Sequence, residues 1–383
     1  MFKRVALPLF LLTVIISVSC KQKPAVKETT QQVKPVPAAI IKADTATDNL
    51  ISFISGLSCS EAGCFRTLYN KTGWEKYSEN IDTLFSSGNS LRIRKMKDWA
   101  GNELVKKNSV KTLFYPFSGP DFLNADIYYP EVDQYILIGL EPIGELPDLC
   151  SMKPDSVRSY LNSVHRTLKD LLKRSYFITK NMSKDLSRTK INGTLPMMSI
   201  FIKRTGHQIV AVHKIGVDTL GNCIVTDNLK GNFVKGVRID FMSPSDNKVK
   251  SVLYFRTDIS DKGLDKTPGF RKYLSSLPQS YTFLKAASFL MHNNDFSEIR
   301  NCIFNTSVSI LQDDSGIAYR YFDKQKWNIR LYGKYSKPKG EFSYIKEPDL
   351  EAAFKKEEIG KLPYSLGYNW GTDHTSLLYA IKK

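Results

Sequence analysis

The first twenty residues decide in which compartment this chain folds and where its folded part can begin. Lys3 and Arg4 give a positive start, and an apolar run of roughly 14 residues from Val5 to Val18 follows. A positive start, a short apolar core and small residues at its end define a secretory signal, whereas a spanning helix needs roughly 20 apolar residues. We therefore predict that residues 1–19 are a signal peptide and that the chain folds outside the cytoplasm.

The end of this segment, Ser17-Val18-Ser19-Cys20, resembles the lipobox of bacterial lipoproteins. The resemblance implies acylation of Cys20, which becomes the new N-terminus after cleavage. The box is relaxed, because Ser17 stands where the class usually has an aliphatic residue. The alternative is an ordinary cleaved signal with a cysteine beside it. No later segment has 18 consecutive apolar residues, so the lipid is the membrane contact that the sequence predicts.

Residues 20–48 predict a flexible tether between the lipid and the folded part. The segment is mostly Lys, Pro, Thr, Gln, Ala and Val without an aromatic residue, and its apolar surface is too small to offset the entropy of ordering it. The whole chain is 42% hydrophobic and 11% aromatic, which is typical of a packed globular protein. We expect residues 49–383 to form one globular unit, with a subdivision near residue 205 as the alternative.

Hydrophobic periodicity in the folded part predicts an α+β fold. Apolar residues recur at intervals of three and four in the helix predicted from Pro154, and with a period of two from His207 onward. We expect a helix-rich N-terminal half, then a largely antiparallel sheet with inserted helices. Strands are predicted at 110–115, 135–140, 233–241, 249–255 and 327–335, helices at 74–105, 154–171, 268–277 and 283–292, and either type at 295–311.

The charge balance favours an anionic partner. The chain carries 55 basic and 38 acidic residues, a formal net charge of +17. Setting aside Lys3, Arg4 and the +2 of the tether leaves about +13 on the folded part, and a field of that sign attracts lipid headgroups, lipopolysaccharide or acidic glycans. The basic residues are dispersed and no nucleic-acid module is present, so we expect no nucleic-acid partner. A lysine-rich solvated surface without a ligand is the competing interpretation.

Five further cysteines follow Cys20, and outside the cytoplasm thiols tend to pair. Cys59 and Cys64 enclose the short loop Ser-Glu-Ala-Gly, so a local disulfide between them is one prediction, with unpaired buried thiols as the alternative. No Cys-x-x-Cys pair and no HExxH segment occurs. We expect no metal and no cofactor.

Carboxylates are the main candidates for catalysis. The motifs GxxxxGK[ST] and GxSxG are absent as well, which weighs against nucleotide hydrolases and α/β-hydrolases. Asp121, Glu141, Asp313 and Asp314 could act in pairs as acid and base on a glycan if two carboxylates stood about 5–9.5 Å apart. His374, in a polar loop, is a further catalytic candidate.

The same residues also have a structural interpretation. Asp121 follows Pro120 and could cap a helix, since Asp is a preferred N-cap residue. The run Asp-Asp-Ser-Gly at 313–316 is typical of a turn. His374 has Asp373 and Ser376 nearby, but we expect no Ser/His/Asp constellation, since neighbours in sequence rarely point at each other usefully.

Two stretches carry a resemblance to known proteins. They are FYPFSGPDF at 114–122 with GLEP at 139–142, and ILQDDSGI at 310–317 with Trp327 and LYG at 331–333. Together they resemble a group of bacterial envelope proteins classed as lipoproteins, over most of residues 74–380. The resemblance implies an envelope location and a single folded unit, and it supplies no catalytic residues.

These observations predict a lipid-anchored protein of the cell envelope, facing the periplasm or the cell exterior. We expect a binding or structural role rather than an enzyme. The alternative is an envelope hydrolase that uses paired carboxylates.

Overall fold

The computed structural model describes residues 44–383 except 61–62, 87–88, 175–190, 227, 229–230, 232, 244–246 and 370–371. The signal peptide, Cys20 and most of the tether lie outside the described residues. Helices in this part are α1 (Thr45–Ile54), α2 (Cys64–Thr72), α3 (Trp74–Ser86), α4 (Asn89–Glu103), α5 (Phe122–Tyr128), α6 (Pro154–Arg174), α7 (Thr194–Arg204), α8 (Asp261–Lys266), α9 (Pro268–Ser275), α10 (Ser297–Thr306) and α11 (Pro348–Lys356). Strands are β1 (Thr112–Tyr115), β2 (Gln134–Gly139), β3 (Gln208–Val217), β4 (Cys223–Val225), β5 (Val234–Met242), β6 (Val249–Arg256), β7 (Ser280–Leu284), β8 (Ser307–Gln312), β9 (Trp327–Gly333), β10 (Ile359–Gly360) and β11 (Ser376–Lys382).

The strands form one mixed sheet in the order β10-β9-β11-β8-β7-β1-β2-β6-β5-β3-β4. Its five central strands, from β8 to β6, run parallel to one another. On one side, β11 pairs antiparallel with both β8 and β9. On the other side, β5 pairs antiparallel with β6, β3 with β5, and β4 with β3. The carboxyl ends of the five parallel strands therefore meet at one edge, which is where open parallel sheets place their ligand sites.

Each face of the sheet is covered by helices from a different part of the chain. Because side chains alternate along a strand, Leu113 and Tyr115 of β1 face one core, whereas Phe114 faces the other. The first core contains residues of the early helices, such as Trp99 of α4. The second contains residues of the late helices, such as Phe270 of α9. Both faces of the central strands are buried, as expected for parallel strands that helices cover on both sides.

The α+β class is confirmed. Helices dominate up to Arg204, and most of the strands follow it. The strands β1 and β2 belong to the helix-rich half in sequence, yet they lie in the middle of the sheet beside β7 and β6. The sheet is therefore mixed, with its antiparallel pairs on both sides of the parallel centre. The described residues from Asp44 onward form a single unit.

Some predicted boundaries need correction. The predicted helix 283–292 is wrong: Phe283 lies in β7, and Leu290–His292 forms only a 3₁₀ turn. An apolar run in a strand buried on both faces has no periodicity that separates it from a helix. The ambiguous stretch 295–311 contains both structures, because α10 passes directly into β8.

The folded part begins earlier than predicted. The side chain of Asp44 accepts hydrogen bonds from the backbone N–H groups of Ala46 and Thr47, each at 3.1 Å, and caps α1. Asp48 forms an ion pair with Lys203 at 2.9 Å. The predicted tether end at residue 48 is therefore too late. Asp44 is a preferred N-cap residue, but it follows a low-complexity segment and was therefore assigned to the tether.

The predicted disulfide between Cys59 and Cys64 is wrong. Cys64 is bonded to Cys150, 86 residues away, and this bond ties α2 to the segment before α6. The Sγ atom of Cys59 instead lies 3.2 Å from the hydroxyl of Tyr69. The bond joins elements that are distant in sequence, so spacing alone could not reveal it.

In the part of the chain that the structure describes, no helix is long and apolar enough to span a membrane.

Candidate functional site

Four polar side chains lie at the carboxyl edge of the parallel strands. Tyr115 ends β1, Asp121 lies in the loop after it, Lys285 follows β7, and Asp313 follows β8. These three strands are neighbours in the sheet, and all four side chains are buried. We call these four residues the charge cluster.

Asp121 is held by three neighbours. Its Oδ2 atom lies 2.6 Å from Nζ of Lys285 and accepts a hydrogen bond of 2.9 Å from the hydroxyl of Tyr115. The side-chain amide of Asn124 donates to both carboxylate oxygens, and the backbone N–H of Asn124 donates to Oδ1 at 3.3 Å. The predicted capping role of Asp121 is therefore confirmed, because it is the N-cap of α5.

Asp313 is fixed at the same place by backbone and hydroxyl donors. Its Oδ2 accepts from the backbone N–H of Ala286 at 2.8 Å, and its Oδ1 accepts from the N–H of Ser315 at 3.0 Å. Burial raises the pKa of Asp313, and these hydrogen bonds and the charge of Lys285 oppose the rise. Asp121 contacts Lys285, and Asp313 accepts a hydrogen bond from Ala286, the residue after Lys285. The structure therefore brings these two predicted carboxylates together.

Lys285 supplies the positive charge of the cluster. Burial lowers the pKa of Lys285, and the attraction of Asp121 and Asp313 opposes that change. A buried cation without partners would cost several kcal/mol, so both carboxylates stabilise the charged amine.

A strap, defined here as residues 362–369, covers the cluster. A Cβ atom on Gly367 would lie 2.3 Å from Oδ2 of Asp313, and Gly367 has a φ of +63°. Only glycine meets both requirements at this position. The hydroxyl of Tyr368 donates to the carbonyl of Ala286 at 3.0 Å, which fastens the strap beside the cluster.

Glu141 and Asp314, the other two predicted carboxylates, lie outside the charge cluster. Glu141 is buried at the end of β2, where Tyr254 donates to its backbone carbonyl at 3.0 Å. Asp314 lines a void of only 10 Å³ together with Glu347. Burial raises the pKa of Asp314 well above its ordinary value, and the charge of Asp313 adds to the rise. Neither side chain contacts Asp121.

His374 lies in a surface ion-pair network. Its Nε2 atom is 3.3 Å from Oδ1 of Asp373, and the other oxygen of Asp373 is 2.9 Å from Nζ of Lys334. Ser376 is buried in β11. Because Ser376 is buried in the strand, these three neighbours do not form a Ser/His/Asp constellation in the described part of the loop.

An open cleft of 1310 Å³ lies beside the strap. Helix α4, the end of β9, β10, the strap and the loop before β11 form its walls. Its described lining includes the basic residues Arg92, Lys95, Lys334 and Lys361, against the acidic residue Asp373. Because Asp373 is paired with Lys334, the cleft presents a surplus of positive charge.

Arg92 connects the cleft to the charge cluster. It lines the cleft, and burial lowers its pKa while the negative charge of Asp121 opposes that change. The hydroxyl of Tyr128 donates to that of Tyr364 at 3.0 Å, and Tyr364 also lines the cleft. The hydrogen bond between Tyr128 and Tyr364 therefore joins α5, which Asp121 caps, to one wall of the cleft.

Sequence analysis did not find Lys285, Arg92 or the strap. A single lysine directly after the apolar run of β7 was the available signal for Lys285, but that run was interpreted as the start of a helix. Arg92 gives no local signal, since it is one of many basic residues on predicted helices. Among the described residues, no group of three or more His, Cys, Asp or Glu side chains is placed to hold a metal ion.

The geometry offers little to a carboxylate-based reaction. Acid and base catalysis needs carboxyl groups that can reach a substrate and exchange a proton with it. Asp121 and Asp313 are buried, Gly367 of the strap lies against Asp313, and protein donors occupy the oxygens of both carboxylates. Comparisons with protein-family models, with curated proteins and with solved structures gave no match to this chain. The resemblance to envelope lipoproteins stays a prediction.

Proposed function

We propose that this chain is a lipid-anchored protein of the bacterial cell envelope that binds an anionic envelope component in the cleft. The observation that carries the proposal is the surplus of basic side chains on the cleft walls, from Arg92 and Lys95 on α4 to Lys334 and Lys361 on the opposite side. The anchor at Cys20 and the location rest on the sequence.

Two features support an anion as the ligand. A concave wall lies close to low-dielectric protein and strengthens the field of its charges relative to a flat surface. Arg92 is partly buried in the cleft wall, so its guanidinium loses less conformational freedom when an anion binds than a fully exposed side chain would.

An envelope hydrolase is the alternative that the sequence left open. Its support is the meeting of Asp121 and Asp313 at the sheet edge where ligand sites occur. Lys285 between them and Gly367 above them weigh against it, since a substrate would have to displace the strap. We therefore favour binding without catalysis.

Calorimetric titration of the mature chain with pyrophosphate, a compact anion, tests the proposal. Replacing both Arg92 and Lys95 by glutamine should weaken binding at least tenfold, because a hydrogen bond to a charged group contributes roughly 1.5–3 kcal/mol. The matched control is Lys262→Gln with Lys266→Gln, which removes the same charge from α8. An equal loss in both double variants would indicate net charge alone and contradict a cleft site.

A further inference from the structure

The cleft is apolar as well as basic. Leu91, Leu172, Ile359 and Leu362 line it beside the cations, and Leu91 on α4 is 46% exposed. Leu91 and Lys95 are four residues apart and therefore lie on the same face of the helix. The wall thus presents an accessible apolar side chain directly beside an accessible cation.

The same combination recurs beside the edge strand β10. A second cavity of 330 Å³ shares Gly333, Lys334 and Ile359 with the cleft, and its other lining includes Tyr335, Phe354, Lys337, Lys355 and Glu351. Tyr335 and Phe354 pack against the second core, whereas Leu362 of the cleft packs against the first, so β9 and β10 separate the two cavities. The cleft by itself, called the groove below, combines apolar and basic side chains. A ligand that uses the groove has an apolar part and a negative charge.

We infer that the groove binds an amphipathic anion, in which an acyl chain is attached to a carboxylate or phosphate. The inference rests on the proposed function and specifies the ligand class. A compact anion would leave the apolar wall uncovered, whereas an uncharged chain would leave the cations without a partner. An acyl chain with an anionic head satisfies both, because burying each CH₂ group is favourable and the head pairs with the basic side chains.

Two ligand series test the chain and the charge separately. Binding of butanoate, octanoate and dodecanoate to the mature chain is measured by calorimetry below their micelle concentrations. We expect roughly tenfold tighter binding for every two CH₂ groups that become buried. Dodecanol should bind at least tenfold more weakly than dodecanoate. Lysophosphatidylglycerol, in the same assay, distinguishes a lipid headgroup from a free fatty acid as the source of the anion.

Substitutions locate the binding. Leu91→Gln should reduce the dependence on chain length, and Lys95→Gln should reduce the preference for dodecanoate over dodecanol. Leu220→Gln is the control, since Leu220 is 70% exposed and does not line the groove. If pyrophosphate binds but affinity does not depend on chain length among the three carboxylates, the inference is wrong and the proposed function stands. If neither pyrophosphate nor the acyl anions bind, both are wrong.

Discussion

The Nζ atom of Lys285 lies 2.6 Å from Oδ2 of Asp121, and these side chains are only 2% and 3% exposed. The two residues come from different parts of the chain and meet because β7 and β1 are neighbours. Asp313 reaches the same point from β8. Together with Asp313, the pair therefore joins three strands at the edge of the sheet that adjoins the cleft.

Replacing Lys285 by methionine should destabilise the protein strongly. Removing one partner of a buried ion pair leaves an uncompensated charge and costs about 3–5 kcal/mol. Urea unfolding measures this loss, with Lys262→Met as the surface control. Adding Asp121→Asn to Lys285→Met should recover part of the stability. A loss below about 1 kcal/mol in the single variant would show that the pair does not carry this charge balance.

Gly367→Ala should destabilise the protein and displace the strap from Asp313. An L-residue in the left-handed region costs about 1–2 kcal/mol, and here the new Cβ would also overlap the carboxylate of Asp313. Gly340→Ala is a matched control, because Gly340 has a φ of +60° and no atom within 4 Å of the added Cβ. We expect a larger loss of unfolding free energy at Gly367, together with faster amide exchange at Ala286. Equal losses would contradict the close contact with Asp313.

The disulfide should contribute strongly to stability. A bond that closes a loop of 86 residues contributes about 4–5 kcal/mol in the chain-entropy treatment. Cys150→Ala should lower the unfolding free energy by this order, whereas Cys59→Ala should change it far less. Non-reducing peptide mapping provides the direct check. A peptide pair linking Cys59 to Cys64 would overturn the bond to Cys150.

Stability should depend on pH through Glu347. Burial raises the pKa of Glu347 to about 7. The charge of Asp349 contributes to this rise, and the charge of Arg320 opposes it. The folded state therefore binds this proton more tightly than the unfolded state, and the resulting stability is lost as pH rises from about 4.5 to about 7.

Glu347→Gln should remove that loss. His292 lies 3.3 Å away and has a pKa lowered to about 4, mainly by burial, so it contributes in the opposite sense between about pH 4 and 6.5 in both proteins. Between pH 5 and pH 8 the variant should gain up to about 3 kcal/mol relative to the unsubstituted chain. Urea unfolding at both values tests this, with exposed Glu341→Gln as the control. A constant difference between the proteins would contradict the raised pKa.

The anchor has its own test. Cys20→Ala should abolish labelling by radioactive palmitate and release the protein from membranes, because Cys20 is the residue that the lipobox resemblance assigns to acylation. A Cys59→Ala variant controls for acylation at another thiol. Unchanged labelling of Cys20→Ala would refute the anchor.

Sequence reasoning succeeded where the deciding interactions are local. The cap at Asp121 involves Asn124, and α6 follows from apolar spacing along a single helix. It failed where partners are distant in sequence: Lys285 pairs with Asp121, and Cys150 with Cys64. The assignment of β7 failed for a related reason, since its burial on both faces depends on strands from both halves of the chain.

Amide hydrogen exchange of the mature chain, with and without pyrophosphate, tests the central claim most directly. The account predicts slower exchange at the start of α4, around Arg92 and Lys95, and in residues 359–365 on the opposite wall. Slower exchange confined to other surfaces, or no change at saturating pyrophosphate, would contradict a basic cleft that binds anions.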